Sequence, residues 1–200
     1  RITGVPPDDT TEAAMIAAIE DGRPLDAALL ATEQPEFYDI RLVQLAKPWT
    51  NRDGTPFVPL NDFVATVVGF VRDDRDFRGI LSEDLVYEGR PGLGLPAPST
   101  TDNRHYEALE ASGESLADAL VAVPQSSRNG LPPDAAAGVL TSRAASRAFF
   151  VDGTNRAMLR WTLMNFMCRD LEQVADTTLP PDRIRQDVSG SPGGDSRVFL

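Results

Sequence analysis

Residues 60–74, LNDFVATVVGFVRDD, decide whether this 200-residue chain is built on helices or on a sheet. Phe63, Val67 and Phe70 recur at i, i+4 and i+7, with Val71 beside them, which is the spacing of a buried helix. The β-branched valines keep a strand open as the lesser alternative. On the helical reading the run ends at the charged cluster that follows, and the flanking segments read the same way.

On the N-terminal side, Pro6-Pro7 stops an extended opening, and a helix follows with Asp9 or Thr10 as its cap, Glu12 in its first turn and Gly22 at its end. Met15, Ile16 and Ile19 are its expected buried stripe. A second helix runs from Pro24 through Leu30, since proline is tolerated in a first turn. A third, carrying Phe37, Ile40, Leu42, Val43 and Leu45, is expected to stop near Lys47-Pro48. Residues 50–59, TNRDGTPFVP, form a loop, FRGILSEDL a short helix, and LVYEG an extended piece.

On the C-terminal side, residues 89–102, GRPGLGLPAPSTTD, are rich in glycine and proline and read as a loop or a boundary. They divide the chain into an N-terminal helical lobe, 1–88, and a C-terminal lobe, 103–200, with one continuous domain as the alternative. RHYEALEASG and SLADALVAV are two short helices, the second capped by Ser115. The longest helix is expected over 154–173, capped by Thr154 or Asn155. Its stripe, Ala157, Trp161, Met164, Cys168 and Leu171, steps by four and three residues, which predicts a central, nearly surrounded helix. The fold class is therefore mainly α: an irregular multi-helix domain with long Gly/Pro-rich loops.

Composition narrows the function. With 42% hydrophobic and 24% charged residues the chain is globular, and a net charge of −11 repels phosphate backbones, so nucleic acid is not an expected partner. No apolar run reaches the roughly 20 residues of a membrane span. Positive charge is nearly all arginine, with Lys47 the sole lysine, which suits bidentate ties to acidic groups. There is no signal-peptide pattern, and a chain that begins at Arg1 reads as a piece of a longer polypeptide.

Motifs for chemistry are few. GxSxG, Walker, HExxH and GxGxxG patterns are absent, so no catalytic residue and no metal site is assigned. Asp73, Asp74 and Asp76 could hold calcium, but Arg72, Arg75 and Arg78 interleave with them, and local ion pairs are the expected outcome. Cys168 is the only cysteine, so the chain has no internal disulfide and no CxxCH haem attachment, and its apolar surroundings predict a core position. His105, the single histidine, sits in DNRHYEAL, where Asp102 or Asn103 can cap a helix with Tyr106 and Leu109 facing the core. It reads either as a helix-start surface residue or as a ligand group.

Two segments resemble the planctomycete-type, cytochrome c-associated exported proteins. RITGVPP followed by a helix is similar to that family's opening, carried here by Arg1, Thr3, Gly4, Pro6 and Pro7, with Phe37, Tyr38 and Trp49 further on. GVLTSRAASRAFFVDGTNRAMLRWTLMNFMCRDL resembles the companion module through Gly138, Leu140, Thr141, Thr154 and Arg156. The resemblance implies a bacterial, periplasmic or cell-envelope protein in which a c-type haem is carried by an adjacent segment of the same polypeptide. This chain would then be a non-catalytic helical scaffold supporting haem-based electron transfer, with His105 a haem ligand or neighbour. The alternatives are a domain of an exported enzyme acting on carbohydrate or another polymer, or a plain docking module.

Overall fold

The computed structural model describes residues 2–149, 155–170 and 173, and among them helices dominate. Two helices, α1 (Asp9–Glu20) and α2 (Pro24–Thr32), pack side by side. A π turn at Phe37–Leu42 leads into α3 (Val43–Ala46), and a 3₁₀ turn at Lys47–Thr50 carries the chain through Pro48 rather than stopping before it. Proline is tolerated there because the first turn needs no amide donor.

The centre of the molecule is α4 (Asp62–Arg72), in which every residue from Asp62 to Phe70 is buried. A helix apolar on all sides must be surrounded, and α3, a strand and two later helices enclose it. Helix wins over strand because the ends are chemically fixed. Asn61 caps the start, its Oδ1 accepting the Val64 N–H at 3.1 Å, and the Thr66 hydroxyl returns to the Asp62 carbonyl at 2.7 Å.

The sheet has two strands. β1 (Val86–Gly89) pairs antiparallel with β2 (Leu120–Val123), Val86 opposite Val123 and Gly89 opposite Leu120. Tyr87 lies against α4 where Gly69 leaves room for it; a Cβ at Gly69 would stand 2.2 Å from the Tyr87 ring. Between the strands run residues 90–103, α5 (Arg104–Ser112) and α6 (Leu116–Ala119). SLADALVAV is thus helical only to Ala119; its apolar end pairs as a strand because β1 offers a free edge. Beyond it come α7 (Ser126–Asn129), α8 (Arg143–Phe149) and α9 (Asn155–Met167).

Residues 89–102, expected as a loop or a boundary, connect into a sheet whose strands β1 and β2 pair across them, and one core cluster runs from Leu42 to Phe149. One expectation is corrected here. The central helix is α4, not the C-terminal one. α9 lies on the outside of the core, touching it through Phe166, whose ring is 5.6 Å from Trp49 and 6.4 Å from Phe63, and through Trp161, 5.6 Å from Phe149. Leu159 and Met167 are exposed. The helix ends at Met167 because Cys168 takes a left-handed conformation (φ 50°), with the Arg169 N–H reaching back to the Leu163 carbonyl at 3.1 Å. Cys168 is consequently exposed rather than in the core. Thr154 and Leu171 lie outside the described residues.

The stripe expected on α1 holds only in part: Met15 is half-buried, while Ile16 and Ile19 are exposed. Ala18, Ala27 and Ala31 are buried between α1 and α2, whereas Ile16, Ile19, Leu25 and Leu29 face outward. Small residues let the two helices approach closely, which leaves the large ones on the free side.

The two helices should differ in their sensitivity to truncation. Phe63→Ala removes a ring that is 2% exposed and is expected to cost about 3–5 kcal/mol. Trp161→Ala, on the half-covered α9, is expected to cost about 2 kcal/mol or less. Denaturant titration of both variants checks the order.

Candidate functional site

His105 opens the first turn of α5 and is buried, contrary to the surface position expected for a helix-start residue. Its Nε2 accepts the Gly89 N–H at 2.9 Å, and its Nδ1 lies 2.7 Å from the Pro96 carbonyl oxygen. An amide can only donate and a carbonyl can only accept, so the neutral tautomer with hydrogen on Nδ1 is the one that fits. Both nitrogens are therefore committed to backbone. An axial iron ligand needs a free ring nitrogen, and in this arrangement His105 offers none. Its work is to tie the end of β1 to the loop that follows.

That loop forms one wall of a polar cavity of about 50 Å³, through Pro98, Ser99 and Thr100. The opposite walls come from Asp62 at the head of α4, Tyr106 on α5, Gln125, Arg128 and Asn129 around α7, and Thr141, Ser142 and Arg143 at the head of α8. Four segments far apart in sequence meet here.

The carboxylate of Asp62 organises the floor. Its Oδ2 accepts the Arg143 N–H at 2.6 Å, and its Oδ1 accepts the N–H groups of Ala144 and Phe63, each at 3.0 Å. Asp62 thus caps α8 from 81 residues away, with Ser142 adding a bond to the Ala145 N–H at 3.2 Å. Burial pushes the Asp62 carboxyl above its ordinary range; the Ala144, Arg143 and Phe63 amides and the Arg143 charge pull the other way without cancelling it.

Around this floor the polar groups are largely paired. Tyr106 donates to the Tyr87 carbonyl at 3.0 Å, and burial holds its hydroxyl well above the usual phenol range, so it remains a donor. Arg128 grips Glu88 with both arms, Nε at 2.8 Å and Nη2 at 2.5 Å. Thr141 donates to Gln125 Oε1 at 2.5 Å, and Gln125 donates to the Gly138 carbonyl at 2.9 Å. Two buried donors differ. Arg143 Nε and Asn129 Nδ2 have no partner among the described residues, and both residues line this cavity.

The acidic cluster after α4 has the local ion pairs that its interleaved arginines predict. Arg72 Nε meets Asp73 at 2.7 Å and Arg78 Nε meets Asp76 at 2.9 Å. The Tyr87 hydroxyl donates to Asp73 and accepts from Arg75 Nε at 3.1 Å; burial, then the Asp73 bond, pushes that phenol up to about 12. Among the described residues no helix is long and apolar enough to cross a membrane.

Sequence reasoning singled out His105 but not the cavity it helps enclose. Nothing in the local sequence distinguishes Asp62, which follows Asn61 at a helix start, and Arg128, Asn129 and Arg143 sit in stretches without periodicity. The one local signal was Thr141-Ser142 before a helix, a capping pattern that marks where α8 begins. No family model, no curated protein and no solved structure matches this chain.

Replacing the Asp62 carboxyl should loosen α8. Asp62→Asn presents an amide donor where an acceptor is needed and is expected to cost about 2–3 kcal/mol. Because the folded-state pKa of Asp62 is raised, the fold favours its protonated form, and that contribution to stability is fully present below the unfolded value of about 3.9 and lost as pH rises through the folded value. The gap between wild type and Asp62→Asn should therefore be widest near pH 3 and narrow towards neutrality; unfolding curves across that range check the sign. His105→Ala leaves the buried Gly89 N–H unpaired, an expected cost of about 1–3 kcal/mol. Hydrogen exchange at Gly89 and proteolysis within residues 90–103 should both rise.

Proposed function

We propose that this chain is a non-catalytic helical scaffold domain of an exported c-type-cytochrome-like protein, supporting haem-based electron transfer carried by an adjacent segment of the same polypeptide. The observation that carries the non-catalytic part is how the reactive side chains are used. The imidazole of His105 is bonded at both nitrogens to backbone, Asp62 accepts three amides, and Glu88 is clamped by Arg128. Groups that would serve as base, acid or nucleophile are spent on joining distant segments. The electron-transfer context, and with it a periplasmic or cell-envelope location, comes from the resemblance of the RITGVPP and GVLTS segments.

A carbohydrate-active enzyme fits less well. Pockets for small molecules usually enclose roughly 300–1,000 Å³, and the cavity beside Asp62 holds about 50 Å³. A docking module fits better, and one feature favours it as the second reading: Ile16, Ile19, Leu25 and Leu29 are exposed together on the α1–α2 pair. On either reading the partner is the neighbouring segment of the polypeptide.

The full-length protein is expected to show c-type Soret and α bands, while this chain expressed alone is colourless, because one cysteine cannot make two thioether bonds. Visible spectroscopy of both, with redox potentiometry of the longer one, is the test; a full-length protein without haem overturns the electron-transfer reading. In that protein His105→Ala should leave the Soret band in place. Ile19→Asp combined with Leu29→Asp should change the stability of the isolated chain by only about 0.5 kcal/mol and lower the melting temperature of the full-length protein if this face docks.

A further inference from the structure

We infer that the outward face of α1 docks a basic, amphipathic helix of polypeptide. The inference rests on the docking reading of the α1–α2 pair and supplies the chemistry of what docks there. Among the described elements the one extensive contact of α1 is with α2, and Ala18 is the residue of α1 buried by it. At about 100° per residue, Asp9, Glu12, Ile16, Ile19 and Glu20 share an arc of about 100° on the side away from Ala18. All five are exposed, Ile16 at 49% and Ile19 at 55%.

The charge of this region is concentrated and largely unanswered. Residues 8–36 hold eight acids and one base, a net −7 out of the chain's −11. The base, Arg23, is taken by Asp21 at 3.1 Å and Asp26 at 2.6 Å. Asp9, Glu12 and Glu20 form no ion pair with the described residues, whereas elsewhere arginines answer the acids, as Arg75 does Glu83 at 3.0 Å and Arg104 does Asp102 at 2.9 Å. Two isoleucines set between free carboxylates are the complement of a helix with an aliphatic seam and basic flanks.

The same charge argues against other occupants. Nucleic acid and anionic lipid carry the same sign as the face, and a second copy of this chain would set like-charged flanks against each other. A purely apolar partner would dry the carboxylates without compensating them, a cost that two isoleucines do not offset. Arginine or lysine flanks supply the compensation and steer the encounter as well.

The probe is a synthetic helical peptide with leucine along one face and arginine on both flanks, titrated into the intact chain. The methyl resonances of Ile16 and Ile19 are followed, with those of Leu131, exposed on a different part of the fold, as the reference. Ile16 and Ile19 should shift saturably while Leu131 does not, and affinity should fall as salt is raised. By calorimetry, Ile16→Ser combined with Ile19→Ser should weaken binding about tenfold with helix content and melting temperature unchanged. Glu12→Gln combined with Glu20→Gln should weaken it and flatten its salt dependence. Absence of a saturable shift at Ile16 and Ile19 would overturn the inference. Equal binding by a peptide with serine in place of leucine, or Leu131 shifts that match those of Ile16, would reduce it to diffuse charge attraction and overturn it too. Equal saturable binding by a peptide with glutamate flanks would overturn the basic partner while leaving the docking face standing, so the two failures are distinguishable.

Discussion

A single buried carboxylate holds the two halves of this fold in register. Asp62 stands at the head of the central helix, yet two of its three amide partners belong to α8, more than eighty residues later. Helix N-termini carry unpaired amides and a partial positive charge, so a carboxylate placed there is stabilised even without solvent. Burial penalises the charge, and the amides return part of that cost. The arrangement tolerates no sliding, because a shift of one residue at α8 would strand two amides in a dry interior.

The same device recurs at the other short helices. Asp39, in the π turn, accepts the Leu116 N–H at 2.7 Å at the start of α6, and burial raises its carboxyl above the ordinary value. Asp84 accepts both the Ser126 N–H at 2.7 Å and its hydroxyl at 2.6 Å at the start of α7. Glu110 holds the Leu60 N–H at 3.0 Å and pairs with Lys47 at 2.6 Å. Helices of four residues, such as α6 and α7, cannot stand alone, since the cost of nucleating a turn exceeds what so few bonds return. At α6 the Asp39 carboxylate adds to the local Ser115 cap, whose Oγ accepts the Ala117 N–H at 3.3 Å, and at α7 Asp84 supplies a cap that the N-cap residue Gln125 does not. Asp39, Asp62, Asp84 and Glu110 are thus acids that composition would assign to solubility and that the fold uses to join segments.

This explains what was legible in the sequence and what was not. Segments governed by local rules were readable: α1 with its Gly22 end, α2 with Pro24 in its first turn, α4, the extended LVYEG, and α5 ending at left-handed Gly113. Periodicity failed where the choice of face depends on a neighbour. The stripe of α9 resembles a central helix, but α4 already fills the centre, and α9 receives an outer position. The outward leucines of α2 follow from its alanines meeting those of α1. The cavity was illegible for a stronger reason. Its residues are joined by bonds such as Asp62 to Arg143 or Arg143 to Asn103, and no window of local sequence contains both ends.

His105 shows how such long-range bonding decides the meaning of a residue type. A lone histidine after a Gly/Pro-rich loop invites a reading as ligand or base. Nothing in DNRHYEAL indicates that Gly89 and Pro96 will occupy its two nitrogens. Once they do, the imidazole becomes a strut between a strand and a loop, and the loop becomes the wall of a polar cavity. Chemistry is then to be sought where bonding is incomplete, because in a fold whose polar groups are otherwise matched an open valence is the exception. Among the described residues the two open side-chain donors belong to residues that line one cavity, and the large outward apolar residues of α1 and α2 fall on one helix pair. The outward apolar face of that helix pair suits a protein surface, whereas the interior polar groups serve to join distant segments, so the interior and the exterior of this scaffold are fitted for different tasks.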